Sequence, residues 1–321
     1  MSSFSLTNAE QLWGFFSMLE RRHIDITPYL NECLIPEQAR HNADLKLTSK
    51  QNYDFLASVC RDQNLPELGW EVGRELGAGA LGSLGLQTLE QVGSEALEEL
   101  SHQIQFHASG AHFFVLRDGD QRRFCNIGSV PADSYGYAIG EFYGLAVMID
   151  LVRRTQKAKM YQPTTIGVRS SDWGNVPAAL ESAEIKFEQR YLSIDIPKEI
   201  VRTRQGKARV RSHRAAQSIA EKLRLLLQPH LLGPAITLAE VSRITGMPRR
   251  SIQRHLAFEQ TDFRSLLKEE RMSLAAKQLK DSTIAIAEIS ERFGYAHPSH
   301  FVRAFKQVHR LTPRQYRTQN D

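Results

Sequence analysis

Apolar residues along the first 200 positions follow two different periods. Spacings of three and four residues predict amphipathic helices in LTNAEQLWGFFSMLERR, SKQNYDFLASVCRDQ and TLEQVGSEALEELSHQIQFHA. Two short apolar runs around Asp118-Gly119-Asp120 predict a hairpin in HFFVLRDGDQRRFCNIG. EFYGLAVMIDLVRRTQK predicts a largely buried helix, and residues 161–168 and 185–196 predict strands. These elements favour an α/β or α+β domain.

The last hundred positions carry only helical periods, separated by Gly- and Pro-containing turn signals. Two of their segments, TLAEVSRITGMPRRSIQRHLAF (237–258) and AIAEISERFGYAHPSHFVRAFK (285–306), align after a one-residue slip. Each contains a helix, a turn with a glycine and a second helix, which is typical of a helix-turn-helix. Residues 262–282 predict a long helix between the two copies. The predicted fold class is α+β and mainly helical, with an N-terminal α/β domain and an all-α C-terminal domain.

The second helix of each copy has an apolar stripe and an opposite polar stripe. Phe301, Ala304, Phe305 and Val308 form the inward stripe of the later copy, and Ile252, Leu256 and Glu259 that of the earlier one. The second helix of a helix-turn-helix enters the DNA major groove, where Arg and Gln pair with guanine and adenine. The candidate DNA-binding residues are Arg249, Arg250, Gln253 and Arg254 in the first copy and Ser299, His300, Arg303 and Lys306 in the second. Val302 also falls on the outer stripe. The ordinary alternative is a pair of solvated helix faces.

Charge separates the two halves of the chain. Residues 206–321 hold 21 Lys and Arg against 10 Asp and Glu, a net of +11, whereas the whole chain has a net charge of +5. The remaining 205 residues are therefore acidic, with a net of −6. This asymmetry indicates a C-terminal domain that faces nucleic acid. Residues 201–216, with six Arg or Lys, predict a basic linker that is either solvated or in contact with DNA phosphates.

Residues 215–319 resemble the DNA-binding domain of AraC/XylS-type bacterial transcription regulators. The resemblance is carried by IAEISERFGY-x(5)-FVRAFKQ-x(4)-TPRQYR and by LAEVSRITGM-x-RR-x-IQRHL. Arg310 and Gln260 stand where the family usually has Gly, so we expect longer or frayed helix ends there. Pro248 replaces the common Ser that caps the second helix of the first unit, so that capping hydrogen bond is expected to be lost.

The N-terminal part resembles the larger α/β "arabinose-binding-like" effector domain of one AraC subgroup, whose members include regulators of amino-acid catabolism and virulence. GSLGLQTLEQVGSEALEELSHQIQF and IKFEQRYLSIDIP carry this resemblance. It implies an effector-binding and dimerisation domain over residues 1–200, a basic linker over 201–216 and a double helix-turn-helix domain over 217–321. The expected function is sequence-specific transcriptional regulation, as an activator, controlled by a small-molecule effector of unknown identity. The expected partners are double-stranded promoter DNA, RNA polymerase and a second copy of the chain.

Several patterns that suggest other chemistry are incomplete. GAGALG (77–82) fits a dinucleotide motif but follows a helical pattern rather than a strand. His102, His107 and His112 are spaced by five residues, which does not place them on one helix face. Arg117, Arg122 and Arg123 in the hairpin are candidates for an anionic ligand, although surface positions are the ordinary interpretation. We therefore expect no catalytic residue, no metal and no cofactor.

Three widely spaced cysteines, Cys33, Cys60 and Cys125, favour neither a zinc ribbon nor a disulfide framework. With no signal-peptide pattern and no membrane-length apolar run, a cytoplasmic location is expected. Two alternatives remain open at this stage. One is a DNA-architectural or anti-silencing protein without a small effector. The other is a DNA-repair methyltransferase with a zinc-bound cysteine, which the isolated cysteines disfavour.

Overall fold

The computed structural model describes residues 4–81, 97, 111–118, 121–128, 135–154, 160–196 and 217–319. The chain divides into two compact units, Ser5–His213 and Met1–Phe4 together with Arg214–Asp321. The basic linker lies outside the described residues, and so does the helix predicted over 88–108, apart from Leu97. No helix among the described residues is both long enough and apolar enough to cross a membrane.

The first part of the N-terminal unit is helical. Its core contains Phe16 and Phe55, whose rings meet edge to face with centroids 5.4 Å apart. The prediction of helix from Leu6 was wrong at its start, because residues 6–8 pair antiparallel with residues 46–48. The elements are β1 (Leu6–Asn8), α1 (Glu10–Arg21), α2 (Thr27–Glu32), β2 (Lys46–Thr48), α3 (Ser49–Asp62) and α4 (Leu68–Leu76), with 3-10 turns at Glu37–Arg40 and Gly77–Leu81.

The second part of this unit is a sheet covered by one long helix. Its elements are β3 (Ala111–Asp118), β4 (Gln121–Gly128), α5 (Tyr135–Arg154), β5 (Thr165–Gly167), β6 (Glu184–Lys186) and β7 (Leu192–Asp195). The strand order is β3-β4-β7-β5-β6, and β5–β6 is the parallel pair. The predicted hairpin is confirmed as β3–β4, with Asp118 opposite Gln121. The strand predicted over 185–196 is instead two strands, with Glu188 between them at a positive φ of 55°.

Helix α5 supplies most of the apolar core under the sheet, as its sequence predicts. Leu145, Met148 and Leu151 are fully buried, in one cluster with Phe124 and Ile194 of the sheet. A helix that is apolar on nearly every side must be covered on nearly every side, and α3, α4 and the sheet do so.

A buried carboxylate in α5 organises the loop after β5. Glu141 accepts hydrogen bonds from the backbone N–H of Arg169 (2.7 Å), from the indole of Trp173 (3.0 Å) and from the Ser170 hydroxyl. Arg169 in turn donates to the Tyr137 hydroxyl and lies over its ring, 5.2 Å from the centroid. Because protein donors already satisfy this carboxylate, it stabilises the fold rather than presenting a free ligand-binding group.

The GAGALG segment begins directly after α4 and has no strand before it. The N–H of Ala78 donates to Asp150 Oδ2 at 2.7 Å, and Arg154 donates to the same oxygen at 2.6 Å. The N–H of Ala78, which would have to bind a nucleotide phosphate, is therefore already hydrogen-bonded to a carboxylate of the protein. A Cβ on Gly77 would lie 2.2 Å from Asp150 Oδ2, so this glycine serves close packing.

The C-terminal unit is all α, as predicted. Its helices are α6 (Ile219–Leu227), α7 (Leu238–Thr245), α8 (Arg249–Phe258), α9 (Phe263–Asp281), α10 (Ile286–Arg292), α11 (Pro298–His309) and α12 (Pro313–Gln319). Helices α7–α8 and α10–α11 form the two predicted helix-turn-helix units, with α9 between them. Gly246 and Gly294 follow α7 and α10 with φ of 70° each, the left-handed conformation that allows a tight helix end.

The two departures from glycine do not lengthen the helices. Helix α8 ends at Phe258 and α11 at His309, while Gln260 and Arg310 take left-handed φ values of 58° and 64°. Hydrogen bonds such as Arg310 N–H to Lys306 O (2.9 Å) hold these turns. The expectation of longer or frayed ends was wrong, because the hydrogen bonds of each turn hold Gln260 and Arg310 in the left-handed conformation despite its strain. Pro248 provides no side-chain cap for α8, as expected.

Arg271 of α9 connects segments far apart in the sequence. Its guanidinium is almost fully buried, and Nη2 donates to the carbonyl of Phe293 and to that of Gly233 (3.1 Å). Burial lowers the pKa of Arg271 from its ordinary value. The Gly233 N–H also donates to Arg292 O at 2.8 Å, so the α6–α7 connection, the end of α10 and α9 meet at this side chain.

Replacing Gln260 or Arg310 with glycine should stabilise the C-terminal unit. A left-handed residue other than Gly costs roughly 1–2 kcal/mol, and glycine gives back part of this through the greater entropy of the unfolded chain. We expect a net gain of about 0.5–1 kcal/mol per substitution in urea unfolding. A loss of stability in either variant would show that the native side chain makes contacts that outweigh the strain.

Arg271→Met should destabilise the C-terminal unit strongly. Methionine keeps much of the apolar volume but leaves the buried carbonyl of Phe293 and the partly buried one of Gly233 without this donor, so we expect a loss of about 2–4 kcal/mol in the free energy of unfolding. Arg271→Lys, whose charged amino group can reach at most one of the carbonyls, should have a stability between those of the methionine variant and the unaltered protein. Equal stability of the methionine variant and the unaltered protein would contradict the proposed bracing role.

Candidate nucleic-acid interface

The inward face of α11 anchors this helix to a small aromatic core. Phe301 and Phe305 are fully buried, with ring centroids 5.9 Å apart, and pack with Phe293 of α10. Met272 and Leu279 bring the long helix α9 into the same cluster. Val302, which the helical wheel places on the outer stripe, is partly buried against this core, so that assignment was wrong. The outer face of α11 is correspondingly narrower.

Two polar contacts also fix α11 on α9. Lys268 Nζ donates to Gln307 Oε1 at 2.5 Å, and the His309 ring nitrogen lies 3.0 Å from the carbonyl oxygen of Met272. Both contacts lie toward the C-terminal end of α11 and do not involve the exposed side chains of its N-terminal half. The orientation of the helix is therefore determined before any ligand binds.

The outer face of α11 presents all four predicted side chains. Ser299, His300, Arg303 and Lys306 are exposed. Among the described residues, neither Arg303 nor Lys306 has an ion-pair or hydrogen-bond partner for its side chain. His300 makes a ring contact with His297, with centroids 5.6 Å apart. These donors are available for phosphate oxygens or base edges.

Helix α8 repeats this arrangement. Ile252 and Leu256 are fully buried, whereas Arg249, Arg250, Gln253 and Arg254 are exposed and make no side-chain hydrogen bond to the described residues. Glu259 faces inward, as predicted, and has a clear structural task. Its two carboxylate oxygens accept the N–H groups of Ile219 (3.0 Å) and Ala220 (3.1 Å) at the start of α6.

The start of α8 is electrostatically unfavourable for the isolated protein. Its first turn contains Arg249 and Arg250 and no acidic residue. Arginines there oppose the partial positive charge of a helix N-terminus, and no side chain caps it. An anion at this position would relieve both effects, as phosphate does at many helix N-termini.

The two units are capped differently although their sequences echo each other. Glu240 accepts from Thr237 in a capping box at the start of α7, and these hydrogen bonds lower the pKa of its carboxyl. The corresponding Glu288 instead pairs with Arg292 at 2.7 Å. Arg292 is thus an intrahelical partner and not a free surface cation.

Not every basic residue near the C-terminus faces outward. Arg317 donates to the carbonyls of Leu279 (3.3 Å) and Ile284 (2.6 Å), so it caps the end of α9. Arg310 and Arg314, in contrast, are exposed and lack a side-chain partner among the described residues, and the sequence had not assigned them as contacts. Arg243 in α7 is a third basic side chain of this kind. Arg243 and Arg314 lie on helices of 8 and 7 residues, too short for the sequence to predict which face is exposed, and Arg310 lies in the turn after α11.

The other candidate chemistry finds no support in the described part of the chain. Cys33, Cys60 and Cys125 are buried and form no disulfide bond, and burial raises the pKa of Cys60 to about 12 and that of Cys125 to about 11. Such thiols pack as small apolar groups. No group of three His, Cys, Asp or Glu side chains among the described residues could hold a metal ion. His102 and His107 lie outside those residues.

Comparisons with known proteins point to the same region. The family described as "Helix-turn-helix domain" matches residues 241–319. The HTH-type transcriptional regulator VirS of Mycobacterium tuberculosis is 23% identical over 335 aligned positions, which cover 98% of this chain and 96% of VirS. The HTH-type transcriptional activator CsvR of Escherichia coli is 32% identical over 80 residues, 25% of this chain and 30% of CsvR. A crystal structure of the transcriptional regulator CdpR from Pseudomonas aeruginosa covers 94% of this chain and 98% of its own, with 18% identity and a TM-score of 0.38.

The family match contains most of both helix-turn-helix units, and VirS and CsvR are both named as HTH-type regulators. Residues 241–319 therefore form a DNA-binding helix-turn-helix domain of the AraC/XylS type, and the chain as a whole is similar to transcriptional regulators that contain such a domain.

Proposed function

We propose that this protein is a promoter-binding transcriptional activator that responds to a small molecule. The observation that carries the proposal is the pair of exposed, internally unpaired basic faces on α8 and α11, each fixed from behind by a buried apolar stripe. CsvR, which is similar over the DNA-binding part, is named as an activator. Activation requires contact with RNA polymerase, the third partner we propose besides DNA and a second copy of the chain.

In this proposal, α8 and α11 enter two major grooves on one side of a duplex. Helix α9 between the units has 19 residues, which at about 1.5 Å per residue gives roughly 28 Å. Successive turns of the groove are about 34 Å apart. Arg249, Arg250, Gln253 and Arg254 would contact one groove, and Ser299, His300, Arg303 and Lys306 the other.

The domain assignment supports a division of labour. We assign effector binding and dimerisation to residues 1–200, a linker to 201–216 and DNA binding to 217–321. VirS is similar over nearly the whole chain, so its N-terminal part is shared as well. Effector binding would shift a balance between DNA-competent and incompetent arrangements. Because chromosomal DNA is the ligand, the bacterial cytoplasm is the proposed site of action, with no enzymatic step.

Arg303→Ala and Arg250→Ala should each weaken binding to the cognate promoter by about 1–3 kcal/mol and relax specificity at one base pair. Arg292→Ala is the matched control, since it removes the same charge from the same unit but from an intrahelical ion pair. Binding is measured by fluorescence anisotropy with cognate and random duplexes. A loss as large for Arg292→Ala, or equal losses on both duplexes, would mean that the residues act only through net charge or phosphate contacts.

Purified protein should select a few sharp sites from sheared genomic DNA at physiological salt. A specific regulator retains base contacts when counterions compete, whereas purely phosphate-driven binding falls steeply with added salt. Sequencing of the captured DNA provides the sites, and repetition with candidate metabolites shows whether an effector sharpens them. Diffuse enrichment that disappears with modest salt and does not respond to metabolites would favour the alternative, a DNA-architectural or anti-silencing protein.

A further inference from the structure

A cleft of about 250 Å³ lies in the N-terminal unit, between α4, α5 and two stretches of the chain after them. Its volume is below the usual range of drug-sized sites, about 300–1,000 Å³, and suits a small metabolite. The hairpin arginines that the sequence analysis named as candidates for an anionic ligand are not among its lining residues. The lining residues on which the argument rests are Trp70, Arg74, Ile149, Arg153 and Leu180.

Most of the cleft wall is apolar and belongs to the rigid core. Trp70, Ile149 and Leu180 are buried, and the first two lie on helices that pack against each other. Such a wall favours the carbon skeleton of an organic ligand and excludes water from it. A free inorganic ion would gain nothing from these side chains.

Two cations complete the lining, and no acidic residue of the described part of the chain contributes to it. Arg153 Nε donates to the carbonyl of Tyr161 at 2.7 Å, which fixes the side chain while its terminal nitrogens keep their donors. Arg74 has no side-chain hydrogen bond or ion pair among the described residues. Two uncompensated guanidinium groups beside an apolar wall favour an anionic group, and the guanidinium fork matches a carboxylate.

The neighbouring acidic side chains are already engaged elsewhere. Glu71 and Glu75, on the same helix as Arg74, pair with Arg22 and Arg21 respectively, each at 2.5 Å. Asp150, next to Ile149, accepts from Ala78 N–H and from Arg154. The charge of the cleft is therefore not neutralised from nearby positions.

We propose that this cleft binds a small organic carboxylate with an apolar body, and that this is the class of effector. The second part rests on the proposed effector control. The carboxylate would lie between Arg74 and Arg153, with the apolar body against Trp70 and Leu180. The ligand would then touch α4 and α5, the two helices that join the helical part of the unit to its sheet.

Benzoate, benzamide and inorganic phosphate are suitable probes for titration calorimetry on the full-length protein. They separate the carboxylate from its neutral isostere and from a free anion. Benzoate should bind and raise the melting temperature, whereas the other two should not. Arg74→Gln, a change at an exposed side chain, should weaken benzoate binding about 10- to 100-fold, as loss of a charged hydrogen bond predicts. Arg61→Gln, on the surface of α3, should leave it unchanged.

Three results would overturn the cleft assignment. They are no benzoate binding at millimolar concentration, equal binding by Arg74→Gln, and phosphate binding as tight as that of benzoate. A crystal or NMR titration that places benzoate elsewhere would do the same.

Measurements of promoter binding in the presence of metabolites distinguish a failure of the cleft proposal from a failure of effector control. Loss of the metabolite response in Arg74→Gln, with the response kept in Arg61→Gln, would support both. A metabolite response that Arg74→Gln retains would leave effector control intact and contradict the cleft as its site. Arg74-dependent benzoate binding, without any metabolite that alters promoter binding, would support the cleft and contradict effector control.

Discussion

The buried guanidinium of Arg271 is the interaction on which the DNA-binding unit depends. A charge with so little water around it needs strong acceptors, and two backbone carbonyls from segments distant in the sequence supply them. One belongs to the connection before the first helix-turn-helix and the other to the turn inside the second. Gly294 must be a glycine at this junction, since a Cβ there would lie 2.6 Å from the carbonyl oxygen of Gly233. Helix α9 is thereby joined through one side chain to the segment before the first helix-turn-helix and to the turn inside the second.

Arginine has three different tasks in this unit, and its partners tell them apart. Arg271 and Arg317 donate to backbone carbonyls and hold helix ends in place, and Arg292 balances a neighbouring glutamate. The arginines on α8 and α11 have no such partner among the described residues, and two of them sit at a helix N-terminus, where they oppose the dipole. Free cations in that position lower the stability of the isolated protein. That cost is expected where binding an anion, and not folding, determines the residue type.

Long periodic segments were predictable from the sequence, and local details set by tertiary contacts were not. Phe301 and Phe305 identified the buried face of α11 correctly because two full turns of helix define it. Val302, at the border of that face, was misplaced, since the packing angle of the helix and not its period decides such a position. Leu6 was wrongly predicted to be helical, because the residue with which it pairs in a strand, Thr48, lies far along the chain and no local pattern reveals it. Gln260 and Arg310 could be recognised as unusual, but only the structure showed that they hold the left-handed turn.

The N-terminal unit also contains two kinds of charged side chain, those bound to protein partners and those without an acidic partner among the described residues. Glu141, Asp150 and Asp195 each accept at least two hydrogen bonds from protein donors, so their charges serve the loops around the sheet. Arg74 and Arg153 are different, because they border an apolar cleft to which no described acidic residue contributes. Since the apolar core of α5 and the sheet stabilises this unit independently of these two side chains, folding does not require their charges to be neutralised. The proposal that the cleft binds a small anion therefore rests on the same reasoning as the proposal that α8 and α11 contact DNA.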